Sequence, residues 1–324
     1  MIITSSTAID HDLPLDPSSG ERKQPDRVRR QPRIDHRCTS IAAIIPTLIA
    51  LLICADSALG QEDWQLVWSD EFNDPGAPAP SNWRYDTGGH GWGNAELQYY
   101  TAERPQNARI ENGLLIIEAH REAYGGRNYT SARLVSQADW TYGRFEVRAR
   151  LPSGRGTWPA IWMLPTKDTY GPQYWPDNGE IDIVEHVGFE PDVVHSSIHT
   201  RAYHHSINTQ KTARLKVPNA RTSFHIYTIE WTPDQIRGFA DGKLYFSFAN
   251  ARRKDPRADY RQWPFDQPFH LLFNIAVGGT WGGSKGIDQT IWPQRLEIDY
   301  VRVYQQSADT AVRGSSWGAI KSTE

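Results

Sequence analysis

The sequence predicts an all-β protein, a sandwich or barrel of antiparallel strands, from three observations. Apolar and polar residues alternate in segments such as 143–151, as they do in half-buried strands. Asp241 and Gly242 separate two apolar stretches, which is a strong signal for a β-hairpin. No long segment keeps a helical stripe, and turn residues recur at intervals of about ten positions. We therefore predict a single all-β domain over residues 61–306.

Composition and charge exclude several other classes of protein. The chain has 324 residues and a formal net charge of −3, and Lys and Arg form no long run outside residues 22–37. A nucleic-acid partner is therefore not expected. All 13 Trp, 14 Tyr and 10 Phe lie after residue 60, so this part of the chain can bury a core. Exposed aromatic side chains in this number also suit a flat, ring-shaped ligand such as a sugar.

Residues 1–60 are typical of an N-terminal extension that ends in a secretory signal peptide. An apolar run at 41–53 follows the basic segment, and small residues lead up to Gly60, after which we place the cleavage site. The run is short for a membrane-spanning helix, although an uncleaved anchor is the alternative. Lipidation of Cys54 is disfavoured because the preceding Ile53 is not small. The polar residues before the run suggest a second hypothesis, that translation starts near Val28.

This leader has consequences for the mature chain. Both cysteines of the protein lie in it, so the mature chain has no disulfide and is held together by its core. We predict a secreted protein, extracellular or periplasmic, whose mature domain is monomeric and has no membrane contact. Residues 307–324 are polar and are predicted to be a C-terminal tail.

Three acidic residues form the most distinctive feature of the sequence. Glu180, Asp182 and Glu185 lie in an otherwise apolar segment with strand character, where acidic residues are uncommon. Residues two apart on a strand share a face, so Glu180 and Asp182 do, but Glu185 would turn away. A β-bulge at Ile183-Val184 would return it to that face, and we predict one there. Paired carboxyls suit retaining glycoside hydrolysis; a solvated acidic edge or a Ca²⁺ site are the alternatives.

The chain resembles glycoside hydrolase family 16, and within it the laminarinase-like endo-β-1,3-glucanases. The family signature E-I-D-I-V-E is present at 180–185. The resemblance extends over most of residues 64–305. The other segments that carry it are W-S-D-E-F-N at 68–73, G-W-G-N-A-E-L-Q-Y-Y-T at 91–101, Y-G-R-F-E-V-R-A-R-L-P at 142–152, G-T-W-P-A-I-W-M-L-P at 156–165, N-I-A-V-G-G-T-W-G-G at 274–283 and L-E-I-D-Y-V-R-V-Y at 296–304.

The resemblance implies a β-jelly roll of two antiparallel sheets with a glucan cleft across the concave sheet. It implies Glu180 as the nucleophile, Glu185 as the general acid/base, and Asp182 between them as a residue that hydrogen-bonds the nucleophile and tunes its proton affinity. No cofactor is implied for catalysis. Cleavage of mixed-linkage glucan, agar or carrageenan, transglycosylation, and glucan binding without hydrolysis are the alternatives. The shorter signature E-x-D-x-E belongs to the lichenase branch, and this chain has the longer form.

The resemblance also implies substrate contacts. Two of them, Trp158 and Trp162, are four apart and share a strand face, where two indoles would form a stacking platform for sugar rings. The full set of expected substrate-binding residues is Asn94, Arg133, Trp158, Trp162, His199 and Trp281.

Two further observations concern metals. His195 and His199 have H-x-x-x-H spacing, but they lie on a predicted strand without the glutamate of H-E-x-x-H or a third ligand nearby in sequence, so this pattern does not predict zinc. His204 and His205 are expected in a solvated loop. Many family relatives carry a structural Ca²⁺ on the convex side, and the matching ligands would be Glu71, Gly113 through its carbonyl, and Asp299; a surface salt bridge is the alternative.

Overall fold

The computed structural model describes residues 64–307, and nearly all of its regular structure is β-strand. The signal peptide and most of the C-terminal tail therefore lie outside the described residues. The seventeen strands are β1 (Trp64–Asp70), β2 (Trp83–Asp86), β3 (Gln98–Tyr100), β4 (Ala108–Glu111), β5 (Leu114–Ala119), β6 (Tyr129–Ser131), β7 (Arg133–Trp140), β8 (Gly143–Arg150), β9 (Thr157–Pro165), β10 (Glu180–His186), β11 (Val193–His199), β12 (Lys211–Lys216), β13 (His225–Trp231), β14 (Gln235–Ala240), β15 (Lys243–Ala249), β16 (Phe269–Val277) and β17 (Gln294–Gln306).

The strands form two antiparallel sheets, as the sequence predicts. The first, called the front sheet, has the order β12-β11-β10-β9-β16-β7-β2. The second, called the back sheet, has the order β15-β14-β13-β8-β17-β5-β4, and β1 also pairs with β17. A third sheet of only two short strands, β3 and β6, is parallel and was not predicted. Helix is limited, among the described residues, to the four-residue α1 (Tyr174–Asp177) and two 3₁₀ turns.

The core lies between the two sheets because inward-facing side chains alternate along each strand. In β8, Phe145, Val147 and Ala149 are fully buried, whereas the arginines and the glutamate between them are partly exposed. The alternation predicted for 143–151 is therefore confirmed. The predicted hairpin is present too: Asp241 and Gly242, both with positive φ, form a two-residue turn between β14 and β15.

The front sheet carries its polar functional groups on its outer face. Its inner face contributes apolar residues such as Ile181 and Phe273 to the core. No helix within residues 64–307 is long and apolar enough to cross a membrane.

Candidate active site

The three acidic side chains of β10 open into one cavity on the outer face of the front sheet. Glu180, Asp182 and Glu185 all line this cavity, whose volume is about 390 Å³. The cavity crosses β10, β9, β16 and β7, because its lining residues come from these neighbouring strands and the loops beside them. The carboxyls therefore share a face of the sheet, as the sequence predicts.

A β-bulge makes this arrangement possible. The register of β10 against β9 shifts by one residue between Asp182 and Val184, and the register against β11 shifts between Asp182 and Glu185. Ile183 and Val184, although consecutive, both enter the hydrophobic core. The extra residue reverses the alternation, so Glu185 returns to the cavity face. The bulge predicted at this position is confirmed.

Two of the three carboxyls accept a hydrogen bond from an indole, and the third lies beside an imidazole. The indole Nε1 of Trp175 donates a 2.7 Å hydrogen bond to Oε2 of Glu180. The indole Nε1 of Trp158 donates a 3.0 Å hydrogen bond to Oε1 of Glu185. Nε2 of His199 lies 3.3 Å from Oδ2 of Asp182 and 3.7 Å from Oε1 of Glu180. The indole hydrogen bonds thus orient Glu180 and Glu185 while leaving both carboxyls next to an open cavity.

Trp175 is held in place by the loop that leads into β10. The side chain of Asn178 organises this loop: its Oδ1 accepts hydrogen bonds from the backbone N–H of Thr169 at 2.8 Å and of Tyr170 at 2.7 Å. The fully buried carboxyl of Asp177 forms an ion pair with Arg201 at 3.2 Å. Short-range polar contacts of this kind explain how the short α1 and the loop around it can position the indole beside Glu180.

Burial and mutual repulsion change the acidity of two of the carboxyls. The pKa of Asp182 is raised well above its usual range, mainly by burial and secondly by the negative charge of the neighbouring Glu180. The pKa of Glu185 is also raised well above its usual range, mainly by burial and secondly by the charge of Asp182. The hydrogen bond from Trp158 lowers this pKa and so opposes the shift. A raised pKa favours the protonated form of a carboxyl, which is the form that acts as a general acid.

The far side of the cavity carries a cationic and aromatic wall. The guanidinium of Arg133 lies between two indoles, 4.6 Å from the ring centroid of Trp92 and 4.8 Å from that of Trp162. Its Nε lies 3.1 Å from Oδ2 of Asp86. Asn94 lines the same cavity. The structure thus brings these two predicted substrate-binding residues, Arg133 and Asn94, together with Trp162.

A chain of buried hydrogen bonds runs beneath this wall. Oε2 of Glu96 accepts from the Tyr100 hydroxyl at 3.1 Å and from Nε2 of Gln98 at 2.6 Å. The Tyr100 hydroxyl also accepts from Nδ2 of Asn274 at 3.0 Å, and Oδ1 of Asn274 accepts from the indole of Trp162 at 2.8 Å. The chain therefore links the carboxyl of Glu96 to the orientation of the Trp162 ring.

Comparison with known proteins agrees with this geometry. The sequence model of glycosyl hydrolases family 16 matches residues 95–302. A β-glucanase from Rhodothermus marinus is 65% identical over 244 residues, which cover 75% of this chain and 85% of that protein. The chain belongs to glycosyl hydrolases family 16.

Solved structures of family 16 members extend the comparison to the fold. The laminarinase from Rhodothermus marinus superimposes with a TM-score of 0.75, and the match covers 75% of this chain and 98% of that one. A non-specific endo-β-1,3(4)-glucanase, crystallised with an oligosaccharide at its active site, is 47% identical with a TM-score of 0.71, and the match covers 75% of this chain and 95% of that one. A glucan endo-1,3-β-glucosidase from Cryptopygus antarcticus is 36% identical, over 78% of this chain and 96% of that protein. The predicted family and jelly-roll fold are confirmed, and the protein is a glycoside hydrolase.

Two of the predicted substrate-binding residues of this family 16 enzyme lie beside the cavity wall. Trp281 packs edge-on against Trp158, with ring centroids 5.5 Å apart, and against His195 at 4.9 Å. His199 is buried next to Asp182. These positions support the cavity wall, and a direct contact of either residue with substrate stays a prediction. The predicted pair of stacking indoles is modified as well, because one face of Trp162 is covered by Arg133.

Several functional residues of the family 16 site were not identified from the sequence. Trp175 lies in the segment W-P-D-N-G-E, in which the sequence pattern indicated a role for Glu180 but none for the indole. Glu96 stands in the loop 91–101 that carried the family resemblance, but a lone glutamate gives no signal of burial. His205 lies in an exposed turn, as expected, yet its ring packs against Trp175 with centroids 5.1 Å apart and lines the cavity.

The residues predicted to bind calcium lie on the back sheet, at a gap beside β17. Strand β5 pairs with β17 as far as Ile298, and β1 pairs with β17 from Val301 onward. Asp299 lies between these two paired stretches, and Gly113 and Glu71, which adjoin β5 and β1, flank it. Oxygen donors in this position fit a hard cation. In the structure both carboxylates are paired with arginines instead, Glu71 with Arg302 at 2.9 Å and Asp299 with Arg148. The salt-bridge alternative therefore describes their present contacts.

Proposed function

We propose that the protein is a retaining endo-β-1,3-glucanase that acts on laminarin-like β-glucans. The observation that carries the proposal is the bulged strand β10, which directs Glu180, Asp182 and Glu185 into one cavity lined by indoles. The chain is similar over most of its length to enzymes named β-glucanase and laminarinase. Retaining glycosidases use two carboxyls about 5–5.5 Å apart, one on either side of the glycosidic bond.

In the proposed reaction Glu180 is the nucleophile. Its carboxylate oxygen bonds to the anomeric carbon while the bond from that carbon to the leaving oxygen breaks, and Glu185 donates its proton to that oxygen. In the second step the Glu185 carboxylate takes a proton from water. The water oxygen bonds to the anomeric carbon and releases Glu180, so both carboxyls return to their starting states and the anomeric configuration is retained.

The surrounding residues prepare the two carboxyls for these roles. The indole N–H of Trp175 orients the Glu180 carboxylate for attack. Burial and the charge of Asp182 keep the proton on Glu185 until the leaving oxygen takes it. We assign Asn94, Arg133, Trp158 and Trp162 to the binding of glucose units along the cavity, since polar side chains and indoles both line it.

The roles of the two glutamates are tested separately. Glu180→Gln and Glu185→Gln should each lose nearly all activity on laminarin while retaining the far-ultraviolet circular dichroism of the parent. An aryl β-laminaribioside whose leaving group is an acidic phenol needs no proton on the leaving oxygen. The Glu185→Gln variant should therefore still release a burst of the phenol, and the Glu180→Gln variant should not. Parent-like turnover of laminarin in either variant would refute the assignment.

Mixed-linkage β-1,3-1,4-glucan is a second candidate substrate. The observation that favours it is the similarity to a family 16 enzyme described as a non-specific endo-β-1,3(4)-glucanase. Product profiles over time from laminarin and from mixed-linkage glucan, read by chain length, distinguish the two specificities and also distinguish internal from terminal cleavage. A binding-only function is disfavoured, because the three acidic residues of the signature are all present.

We also propose secretion after cleavage near Gly60, a monomeric catalytic domain, and a structural Ca²⁺ held by Glu71, Gly113 and Asp299. The apolar run and small residues of the leader support secretion. The strand register beside β17 supports the calcium site. Bound there, the ion would join β1, β5 and β17 and would take no part in catalysis.

A further inference from the structure

The nucleophile stands in a group of side chains with the composition of a transition-metal site. Glu180, Asp182 and His199 each offer one ligand atom, and these atoms all lie within 4.8 Å of one another. Within residues 64–307 this is the one group of three or more acidic, histidine or cysteine side chains with that property. The H-x-x-x-H spacing of the sequence directed attention to His195 as the partner of His199, whereas the fold gives His199 two carboxylates from the neighbouring strand.

The separations between ligand atoms suit a small tetrahedral ion. Zn²⁺ binds imidazole nitrogen and carboxylate oxygen at about 2.0–2.2 Å, so adjacent ligand atoms of a tetrahedral site are about 3.3–3.6 Å apart. Nε2 of His199 lies 3.3 Å from Oδ2 of Asp182 and 3.7 Å from Oε1 of Glu180. These two separations lie within a few tenths of an ångström of tetrahedral ligation, and the ligand atoms of Glu180 and Asp182 lie within 4.8 Å of each other.

Burial supplies an independent indication of a ligand. Asp182 is 2% exposed, and its Oδ2 accepts no hydrogen bond from any described residue. Its nearest nitrogen is Nε2 of His199 at 3.3 Å, a member of the same group. A buried carboxylate oxygen that accepts no hydrogen bond is costly, and a cation ligated by it and by His199 would offset that cost. Glu180 lines the cavity, so an ion can enter from solvent and its fourth position would face the cavity.

The donor set also selects the class of ion. Calcium and magnesium prefer six or more oxygen ligands, and an imidazole nitrogen is a poor substitute for one of them. Imidazole with carboxylate suits zinc and the later first-row divalent metals. Two carboxylates and one histidine with an open position match the ligand number of a site that binds zinc reversibly from solution.

We propose that Glu180, Asp182 and His199 form an inhibitory site for Zn²⁺. The ion occupies the carboxylate of the nucleophile and blocks the position of the sugar ring beside it. Binding of the ion follows from the geometry alone, whereas the inhibition rests on the proposed function of Glu180. The two parts therefore have separate readouts.

Calorimetric titration of Zn²⁺ into EDTA-treated, dialysed protein measures binding without catalysis. We expect one saturable site per chain, and Mg²⁺ should give no comparable heat. His199→Gln should weaken the affinity at least about tenfold, since even the loss of an outer partner costs that much at a metal site. The matched control His195→Gln, four residues along the same strand, should bind Zn²⁺ as the parent does.

Two further measurements keep the test valid if His199→Gln fails to fold. Asp182→Asn should also weaken Zn²⁺ binding, and a saturating β-1,3-gluco-oligosaccharide should compete with Zn²⁺ in the unmodified protein. Zn²⁺ should inhibit laminarin hydrolysis, and EDTA should reverse the inhibition. Absence of saturable binding at millimolar Zn²⁺, binding that His199→Gln leaves intact, or binding lost only in His205→Gln would overturn the proposal. Binding without inhibition would leave the metal site standing and would count against Glu180 as the nucleophile.

Discussion

The indole N–H of Trp175, in the short α1, donates a 2.7 Å hydrogen bond to the carboxylate of Glu180, the first residue of β10 and five positions further along the chain. This contact gives a polar partner to a carboxylate that must stay oriented toward the substrate. A hydrogen bond to a charged group contributes about 1.5–3 kcal/mol.

We expect Trp175→Phe to lower kcat/KM on laminarin by about tenfold to hundredfold, the rate equivalent of losing that bond. Phenylalanine keeps an aromatic ring at this position, so the packing against His205 is largely retained. The control is Trp263→Phe, because Trp263 is buried and its indole N–H has no hydrogen-bond partner among the described residues. Equal losses in both variants, measured by steady-state kinetics, would show that packing and not the hydrogen bond matters.

The pH profile of activity should respond to Asp182. In the proposed mechanism only protonated Glu185 can donate to the leaving oxygen, so activity should fall as the pH rises through its raised pKa. After burial, the charge of Asp182 is the next cause of that raised pKa. Asp182→Asn should therefore lower the pKa of Glu185 and move the alkaline limb of kcat/KM to lower pH. Asp86→Asn, which removes the carboxylate partner of Arg133, should leave that limb in place.

The same raised pKa predicts how stability depends on pH. Between the ordinary pKa of a glutamate and the raised pKa of Glu185, the folded state binds more protons than the unfolded state. The free energy of unfolding therefore falls as the pH rises through this interval. Glu185→Gln has no proton to lose, so its Tm should fall less than that of the parent as the pH rises above the ordinary pKa of a glutamate. A parallel fall in both proteins would contradict the link.

Tyr100 should affect both stability and substrate affinity. Its hydroxyl joins Glu96 to Asn274, which holds the indole of Trp162. Tyr100→Phe leaves those two groups without this partner, which should cost about 1–3 kcal/mol of unfolding free energy and raise KM more than it lowers kcat.

The control for Tyr100 is Tyr129→Phe. The Tyr129 hydroxyl donates to Gln289 at 2.8 Å, away from the cavity. This variant should lose stability by a similar amount with an unchanged KM. A raised KM in both variants would count against the hydrogen-bond chain as the route to Trp162.

Calcium should raise the Tm without changing KM. An ion that binds only the folded state stabilises it in proportion to the logarithm of its concentration. Glu71→Gln should abolish this response. Glu146→Gln removes a different ion pair of the back sheet, with Arg144, and should keep the response to calcium. A Tm that is the same with Ca²⁺ and with EDTA in the unmodified protein would leave Glu71 as the salt-bridge partner of Arg302.

The fold and the catalytic face were accessible from the sequence because both depend on local periodicity. The alternation of 143–151, the turn at Asp241-Gly242 and the odd spacing of Glu185 each depend on which way successive side chains point along a strand. The parallel pairing of β3 with β6 was not accessible, since it joins two three-residue strands from distant parts of the chain.

The missed site residues share a different cause. Trp175 and Glu96 act through partners brought together by loops, and periodicity says nothing about a loop's conformation. Glu96 looks like a surface residue in sequence, yet Gln98 and Tyr100 bury it in a hydrogen-bonded chain. The group of possible metal ligands around His199 was not predicted for a related reason. Its carboxylates, Glu180 and Asp182, lie on the adjacent strand, whereas the sequence spacing indicated only His195 as a partner.

The extra residue of β10 also determines how this strand tolerates changes in length. Elsewhere in a strand, removing one residue turns every later side chain to the opposite face of the sheet. Removing Ile183 or Val184 would instead leave a glutamate two positions after Asp182, in a strand of regular alternation that needs no bulge. The shorter signature E-x-D-x-E has this spacing, so a one-codon deletion at this point would conserve the direction of all three acidic groups.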